Sequence, residues 1–383
     1  MTLVPADPHA SAGCCADHSG APCIAWPSGA VDHYTLYTEG DELYEAMHAS
    51  IAGATQRIAL ETYLWSDDEV GRRLADALRE RALAGVRVEV IVDAVGSAGR
   101  FSRRLHRGLI AAGARVRRFH RWRWTAPGRF LRRDHRKLLV VDDRTVFLGG
   151  FNIHRESARS VVGADRWRRQ PRVRVGGTLA RAAGGLFDAF WSGDREWTAA
   201  EDTGDVLVPN LSPICRRQLR CLYLRLLRSA RRRLAVTTPY FVPDELTQRE
   251  LVAAARRGVD VRLLLPARSD VSIAQWAARA AYQQLLLGGV RIYEFQPRVL
   301  HAKTAVADGA IATIGTANLD YRSLFVNYEL NLFSATRGLC AALERQFGAD
   351  LEVSAEVTLD RWVGRPWPLR VAEAIGWVAR RWL

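Results

Sequence analysis

His135-Arg136-Lys137-Leu138-Leu139-Val140-Val141-Asp142 is followed, six residues on, by Gly149-Gly150-Phe151-Asn152. The same spacing returns as His301-Ala302-Lys303-Thr304-Ala305-Val306-Ala307-Asp308 and then Gly315-Thr316-Ala317-Asn318. Both stretches fit H-x-K-x4-D-x6-G-x2-N without a gap. In an extended chain residues two apart share a face, so the His and Lys of each copy point into one space. The trailing Gly and Asn suit a turn where backbone comes close to a ligand.

The lysines sharpen this reading. Lys137 and Lys303 are the only lysines, so every other basic position among 55 Lys plus Arg is Arg. Arg is a rigid fork, whereas Lys is a compact point charge with rotatable donors. A chain that uses Arg elsewhere has kept Lys at the same place in both copies.

Around each copy the chain repeats one order of elements. In the first half, strands are expected at 57–65, 86–93 and 114–120, with helices at 68–84 and 103–112 between them. The motif strands, 137–142 and 145–148, follow. In the second half, strands are expected at 234–241, 259–265 and 290–295, with helices at 245–257 and 273–287. Gly85-Val86-Arg87-Val88 mirrors Gly258-Val259-Asp260-Val261. The histidines are 301 − 135 = 166 residues apart, which marks duplication of a whole domain rather than a short repeat. Strand–helix alternation implies an α/β fold with mixed, mostly parallel sheets flanked by helices. The expected division is an arm at 1–32, lobes at 33–200 and 201–350, and a tail at 351–383. The join falls near 198–212.

The paired pattern resembles the HKD motif of the phospholipase D superfamily, over roughly residues 35 to 350. Finer features are similar to bacterial cardiolipin synthases of the non-membrane-spanning type. They are Leu60-Glu61-Thr62-Tyr63, Thr238-Pro239-Tyr240-Phe241-Val242-Pro243, Asn318-Leu319-Asp320-Tyr321-Arg322-Ser323 and Asn327-Tyr328-Glu329-Leu330-Asn331. The resemblance implies two pseudo-symmetric lobes sharing one active site. His135 and His301 would then face one phosphorus from opposite sides. One attacks to form a phosphohistidine, while the other protonates the leaving alcohol and then deprotonates the acceptor. Lys137, Lys303, Asn152 and Asn318 would hold the non-bridging oxygens. Asp142 and Asp308 each begin a turn, so they are as plausibly structural as catalytic.

In the family a carboxylate downstream of each motif orients a histidine. Glu329 matches it in the second half. In the first half the matching place carries Gln170, a departure that leaves open which histidine is the nucleophile. Asp165 or Glu156 could substitute, or His135 could lack a carboxylate. No metal or other cofactor is expected, because the two lysines supply the counter-charge.

A net charge of +14 points to an anionic partner. The resemblance makes that partner phosphatidylglycerol on a membrane surface, with transfer of a phosphatidyl group to a second phospholipid hydroxyl. Hydrolysis by the same site, cleavage of nucleic acid and an inactive basic binder are the alternatives. Nucleic acid is the less expected partner. No stretch reaches the apolar length needed to span a bilayer, so membrane contact is expected from one side, at the inner face of the cell membrane. Cys14, Cys15 and Cys23 sit in a polar stretch whose spacing fits no zinc site, and the cysteine usage suits the cytoplasm. Between Arg100 and Arg136 an Arg-dense stretch interleaves Trp122, Trp124 and Phe130, suited to a lip that gathers anionic headgroups. At the C-terminus Val371, Ile375, Val378, Ala379 and Trp382 share one helix side. Arg370, Glu373, Arg380 and Arg381 take the other, and Trp362, Trp367 and Trp377 add anchors, which fits a surface-lying helix.

Overall fold

The computed structural model describes residues 26–29, 34–122, 124–125, 127–163, 167–197 and 204–379. Cys14, Cys15, Cys23, Asp165, Arg380, Arg381 and Trp382 lie outside the described residues.

The first sheet contains β1 (Thr35–Tyr37), β2 (Arg57–Thr62), β3 (Arg87–Asp93), β4 (Arg115–Phe119), β5 (Leu138–Val141), β6 (Thr145–Gly149) and β7 (Arg172–Gly176). The second contains β8 (Val206–Pro209), β9 (Arg233–Thr237), β10 (Asp260–Pro266), β11 (Arg291–Phe295), β12 (Thr304–Ala307), β13 (Ile311–Gly315), β14 (Leu330–Ser334) and β15 (Ser354–Val357). Their orders are β1-β7-β6-β5-β2-β3-β4 and, read in the same sense, β8-β14-β13-β12-β9-β10-β11-β15. The duplication read from the motifs is therefore a duplication of topology. β15 extends the second sheet into the region expected to be tail.

The sheets are mixed, but they are not mostly parallel. β2, β3 and β4 run parallel, as do β9, β10 and β11, while the remaining pairings are antiparallel. Strand–helix alternation forces parallel pairing only where a helix carries the chain back. From the motif onward, β5-β6 and β12-β13 are joined by tight turns, which return the chain antiparallel.

Local signals explain the element ends. Asp68, Ser102 and Asp244 cap helices by accepting from Gly71, Leu105 and Thr247 backbone N–H groups. Gly85 and Gly258 end the helices before β3 and β10 with φ of 86° and 89°, a left-handed stop that glycine adopts without strain. One apolar cluster lies under the helices of each lobe. Another joins the sheets, with Val140, Val146 and Val173 packed into the same cluster as Ala312, Ile314 and Leu332. Trp26 also packs on the second lobe, with the Arg225 guanidinium 4.5 Å from its ring centre, so the expected arm is docked at 26–29.

The residue between His135 and Lys137 points to the opposite side, as alternation demands. Arg136 is fully buried, ion-paired to Glu61 and Asp134 and stacked 3.6 Å from the Phe190 ring centre. The second lobe places Ala302 there and needs no such pair. Removing one partner of a buried pair leaves an uncompensated charge. Glu61→Ala is therefore expected to lower stability by about 3–5 kcal/mol, read by denaturant unfolding, with the loss reduced when Arg136→Met is added.

Candidate functional site

Each H-x-K segment is the extended lead-in to a motif strand rather than part of the strand itself, and each pairs with the other lobe. His135 N–H donates to the Tyr328 carbonyl at 2.9 Å, and Tyr328 N–H to Arg133 at 2.8 Å. In the mirror position His301 N–H donates to the Arg169 carbonyl at 2.8 Å, and Arg169 N–H to Val299 at 3.0 Å. These two exchanges lock the lobes together and bring both imidazoles into one cavity. Their ring centres are 6.5 Å apart, with planes at 78°.

The orienting partners cross the same boundary. His135 Nδ1 lies 3.0 and 3.1 Å from the two carboxylate oxygens of Glu329, which is in the second lobe. His301 Nδ1 lies 2.9 Å from Gln170 Oε1, in the first lobe. The expectation that Asp165 or Glu156 could substitute, or that His135 could lack a carboxylate, is thus corrected. Glu156 pairs with Arg168 at 2.9 Å instead. It is His301 that has an amide where its counterpart has a carboxylate. Glu329 is fully buried and further held by the Thr316 hydroxyl at 2.5 Å and by its own N–H to the Asn210 side-chain oxygen.

Both lysines are buried behind the histidines. Lys137 Nζ donates to the His135 carbonyl at 2.7 Å, and Lys303 Nζ to the His301 carbonyl at 2.8 Å. Lys303 Nζ also sits 3.1 and 3.2 Å from the two ring nitrogens of His301. Burial pushes Lys137 down to about 7, against the pull of Glu329, and Lys303 well below the usual lysine range. Burial likewise lowers His135, which Glu329 partly restores. His301 falls further, because after burial the cations Lys303, Arg168 and Lys137 all disfavour its charge. The site therefore concentrates cationic side chains with few carboxylates beside them, an environment that favours an anion.

The cavity is about 590 Å³ and is lined by His135, His301, Asn152 and Asn318 together with Tyr63, Tyr240, Arg168 and Arg322. Asn152 accepts from Leu64 N–H at 3.3 Å through its oxygen, leaving its amide hydrogens for a ligand. Asn318 donates to Ser323 at 3.2 Å, and its buried oxygen has no partner. In that pose Asn318 offers an acceptor for a hydroxyl rather than a donor for a phosphoryl oxygen. Tyr63 stands edge-on to His135 at 5.0 Å and Tyr240 to His301 at 6.2 Å, a second matched pair. Asp270 anchors this side by accepting from Tyr240 at 2.6 Å and Arg168 at 2.9 Å. Sequence reasoning assigned these tyrosines no role, although their Glu-Thr-Tyr and Thr-Pro-Tyr contexts were visible. Arg168 and Asp270 belong to no motif.

The motif aspartates are at the far ends of their strands. Asp142 and Asp308 adopt φ of 51° and 55°. Asp142 accepts the N–H groups of Thr55, Gln56 and Arg57, and Asp308 those of Arg231, Arg232 and Arg233. They tie each motif hairpin to the start of β2 or β9 and do not line the cavity. The motif glycines sit where a Cβ has no room. A Cβ on Gly315 would collide with the Leu330 carbonyl and the Asn331 side chain, and one on Gly149 would meet the Pro171 oxygen at 2.8 Å.

At the cavity mouth Trp122, Trp124 and Phe130 form an edge-to-face cluster, with Trp122 5.5 and 5.1 Å from the other two ring centres. Trp124 and Leu131 are largely exposed, and Phe130 and Leu131 line the opening. The helix Trp367–Ala379 packs on the helix Ser272–Leu287 with the side expected to be polar. Glu373 is buried against Arg365, and Gly376 lies so close to Trp276 and Ala277 that a Cβ would meet them at 2.5–2.8 Å. Its apolar stripe, Trp367, Val371, Ile375 and Val378, faces outward, with Val378 74 % exposed. Among the described residues no helix is long and apolar enough to cross a membrane.

The family described as "Cardiolipin synthase, PLD-like domain" matches residues 47–163 and again 223–351, once in each lobe. A cardiolipin synthase of Clostridium perfringens (strain 13 / Type A) is 32% identical over 368 residues, covering 89% of this chain and 75% of that protein. The cardiolipin synthase of Geobacillus kaustophilus (strain HTA426) is 33% identical over 363 residues, covering 91% and 72%. The crystal structure of phosphatidylserine synthase from Haemophilus influenzae Rd KW20 shares the fold, with a TM-score of 0.69 at 14% identity, over 91% of this chain and 95% of that one.

The aspartate geometry gives a clean test. Asp308→Asn keeps tolerance of the left-handed turn but loses the charge that holds three N–H groups. It should cost about 1–2 kcal/mol of stability at pH 7 while leaving the turnover number of the folded enzyme within about twofold. Backbone hydrogen bonds outweigh burial and hold the Asp308 carboxyl below its usual range. Its stabilisation is therefore present above the unfolded pKa and fades as pH falls through the lower folded value. The gap between wild type and Asp308→Asn should close below about pH 4, measured by urea unfolding across pH.

Proposed function

The chain belongs to the cardiolipin synthase, PLD-like domain family, and on that premise we propose that it transfers a phosphatidyl group from one phosphatidylglycerol to the hydroxyl of another. Cardiolipin synthases are phosphatidyltransferases, and the observation that carries the reading here is the pair of facing imidazoles backed by two buried lysines. His135 is the nucleophile. Its Nδ1–H is held by Glu329, so Nε2 presents a lone pair, and the carboxylate offsets the positive charge of the phosphohistidine. His301 gives its Nε2 proton to the departing glycerol oxygen as the P–O bond breaks and the P–N bond forms. It then takes the proton of the incoming hydroxyl as the new P–O bond forms and P–N breaks. The phosphodiester brings the negative charge that keeps Lys137 and Lys303 protonated, and they become its counter-ions. Asn152 donates to a non-bridging oxygen, and Asn318 accepts from the glycerol hydroxyl.

The partner is an anionic bilayer surface contacted from one side. The outward apolar stripe of Trp367–Ala379, and the Trp122–Trp124–Leu131 lip beside the opening, are the surfaces that meet it. A helix that packs through its glycine and leaves its aliphatic face to water gains by inserting that face at the lipid boundary. Val271 and Ala274, at the start of the helix Ser272–Leu287 on which Trp367–Ala379 packs, line the cavity, which links docking to delivery of the lipid phosphate.

Incubation with phosphatidylglycerol vesicles should yield diphosphatidylglycerol and glycerol. Accumulation of phosphatidic acid instead would favour hydrolysis. With a p-nitrophenyl phosphodiester, whose leaving group needs no proton, His301→Ala should retain a burst and trap a phosphoenzyme. His135→Ala should show neither, with activity down by at least about 10³-fold. The double substitution Ile375→Glu and Val378→Glu should reduce co-sedimentation with phosphatidylglycerol vesicles at least about tenfold while sparing turnover of the soluble diester.

A further inference from the structure

Two lobes with matching topology present non-matching partners to their histidines. The Glu329 position in β14's lead-in and the Gln170 position in β7's lead-in are equivalent, one residue after the cross-lobe pairings of Tyr328 and Arg169. Glu329 offers a carboxylate to His135, and Gln170 an amide oxygen to His301.

The amide is not free to turn. Gln170 Nε2 donates to Ser157 Oγ at 3.2 Å, and Ser157 Oγ is 3.1 Å from His154 Nε2. Burial holds His154 neutral, down to about 3, and Glu156 Oε2 lies 3.8 Å from its Nδ1, which places the ring proton on that side and leaves Nε2 to accept the Ser157 hydroxyl proton. Ser157 then has its lone pairs for Gln170, and the amide must keep nitrogen toward Ser157 and oxygen toward His301. Gln170, Ser157 and His301 are all buried, so water does not compete for these bonds. The chain His154–Ser157–Gln170 therefore fixes the His301 proton at Nδ1 and leaves Nε2 as the nitrogen that loads and unloads a proton.

We infer that Gln170 is a positioning residue that makes His301 the proton carrier, by holding its Nδ1–H with a neutral acceptor and so keeping its protonated form weakly stabilised. The inference rests on the transferase reading above. A carboxylate in that place would stabilise imidazolium and make His301 a reluctant donor to the glycerol oxygen. The amide leaves it a strong acid when loaded and a weak base when empty. The surroundings act in the same direction. Lys303 two residues along the same lead-in, Lys137 and His135 across the cavity, and Arg168 two residues before Gln170 all repel a charge on the ring. The ring of Tyr240 stands beside it. The nearby carboxylates are engaged elsewhere: Asp270 by Tyr240 and Arg168, Asp320 by Ser323 N–H, and Glu329 by His135.

The test is Gln170→Glu, which keeps the shape and the Nδ1–H acceptor but adds the charge. In the free enzyme His301 must be protonated for the first transfer, so the alkaline limb of kcat/KM with phosphatidylglycerol vesicles reports its proton. That limb should move up by at least about one pH unit, as an opposite charge in contact does. Histidine ring 15N spectra, with the His301 signal assigned by its loss in His301→Ala, should show the same upward displacement without any turnover. A limb and a ring signal that both stay at their wild-type positions would overturn the inference. If vesicles yield no transfer product, the ring titration still decides the role of Gln170, while the substrate reading fails separately. Should Gln170→Glu not fold, Ser157→Ala gives the second measurement. Freed from Ser157, the amide can turn its nitrogen to the ring, and the His301 15N shifts should change from the Nδ1–H to the Nε2–H pattern. An unchanged tautomer there would equally reject it.

Discussion

The two cross-lobe exchanges, His135 N–H to Tyr328 and His301 N–H to Arg169, are the contacts on which the site depends. Each histidine is attached to its own lobe covalently and to the other by backbone and side-chain hydrogen bonds. Neither half holds a motif histidine together with its Nδ1 partner. A small shift of one lobe against the other would move both rings and both Nδ1 partners together. The apolar cluster shared by the two sheets opposes such a shift, because its β5–β7 and β12–β14 residues interlock in close-packed contact.

Burial has a second consequence at this seam. Lysines and histidines are placed where desolvation disfavours their charge, and carboxylates are few among the lining residues. The surrounding ion pairs, Arg136 with Glu61 and Arg168 with Asp270, are closed on themselves. They hold the frame rigid and do not neutralise the centre. The site is thus suited to an anionic ligand, and Glu329 and Gln170 are one point at which its two histidines differ.

The outer surface follows a different logic. The helix Trp367–Ala379 uses Gly376 to approach its neighbour closely, which spares its aliphatic residues from the core. Together with the aromatic lip beside the cavity, this leaves apolar surface exposed on the outside of the protein.

The sequence determined by itself that the protein is a duplicated α/β fold with two H-x-K motifs, because exact spacing and alternation are local properties of the chain. It also determined that His135, Lys137, His301 and Lys303 belong together, since the two lysines stand out against an otherwise all-Arg background. Only the tertiary structure decided how the halves serve each other. That Glu329 holds His135 and Gln170 holds His301 depends on which strand lead-ins pair across the lobes, and hydrogen bonds between residues 194 or 131 positions apart leave no trace in local pattern. The same holds for sheet direction from the motif strands onward, where tight turns join β5 to β6 and β12 to β13. It holds too for the terminal helix, whose wheel showed two faces but not which one a neighbouring backbone would claim.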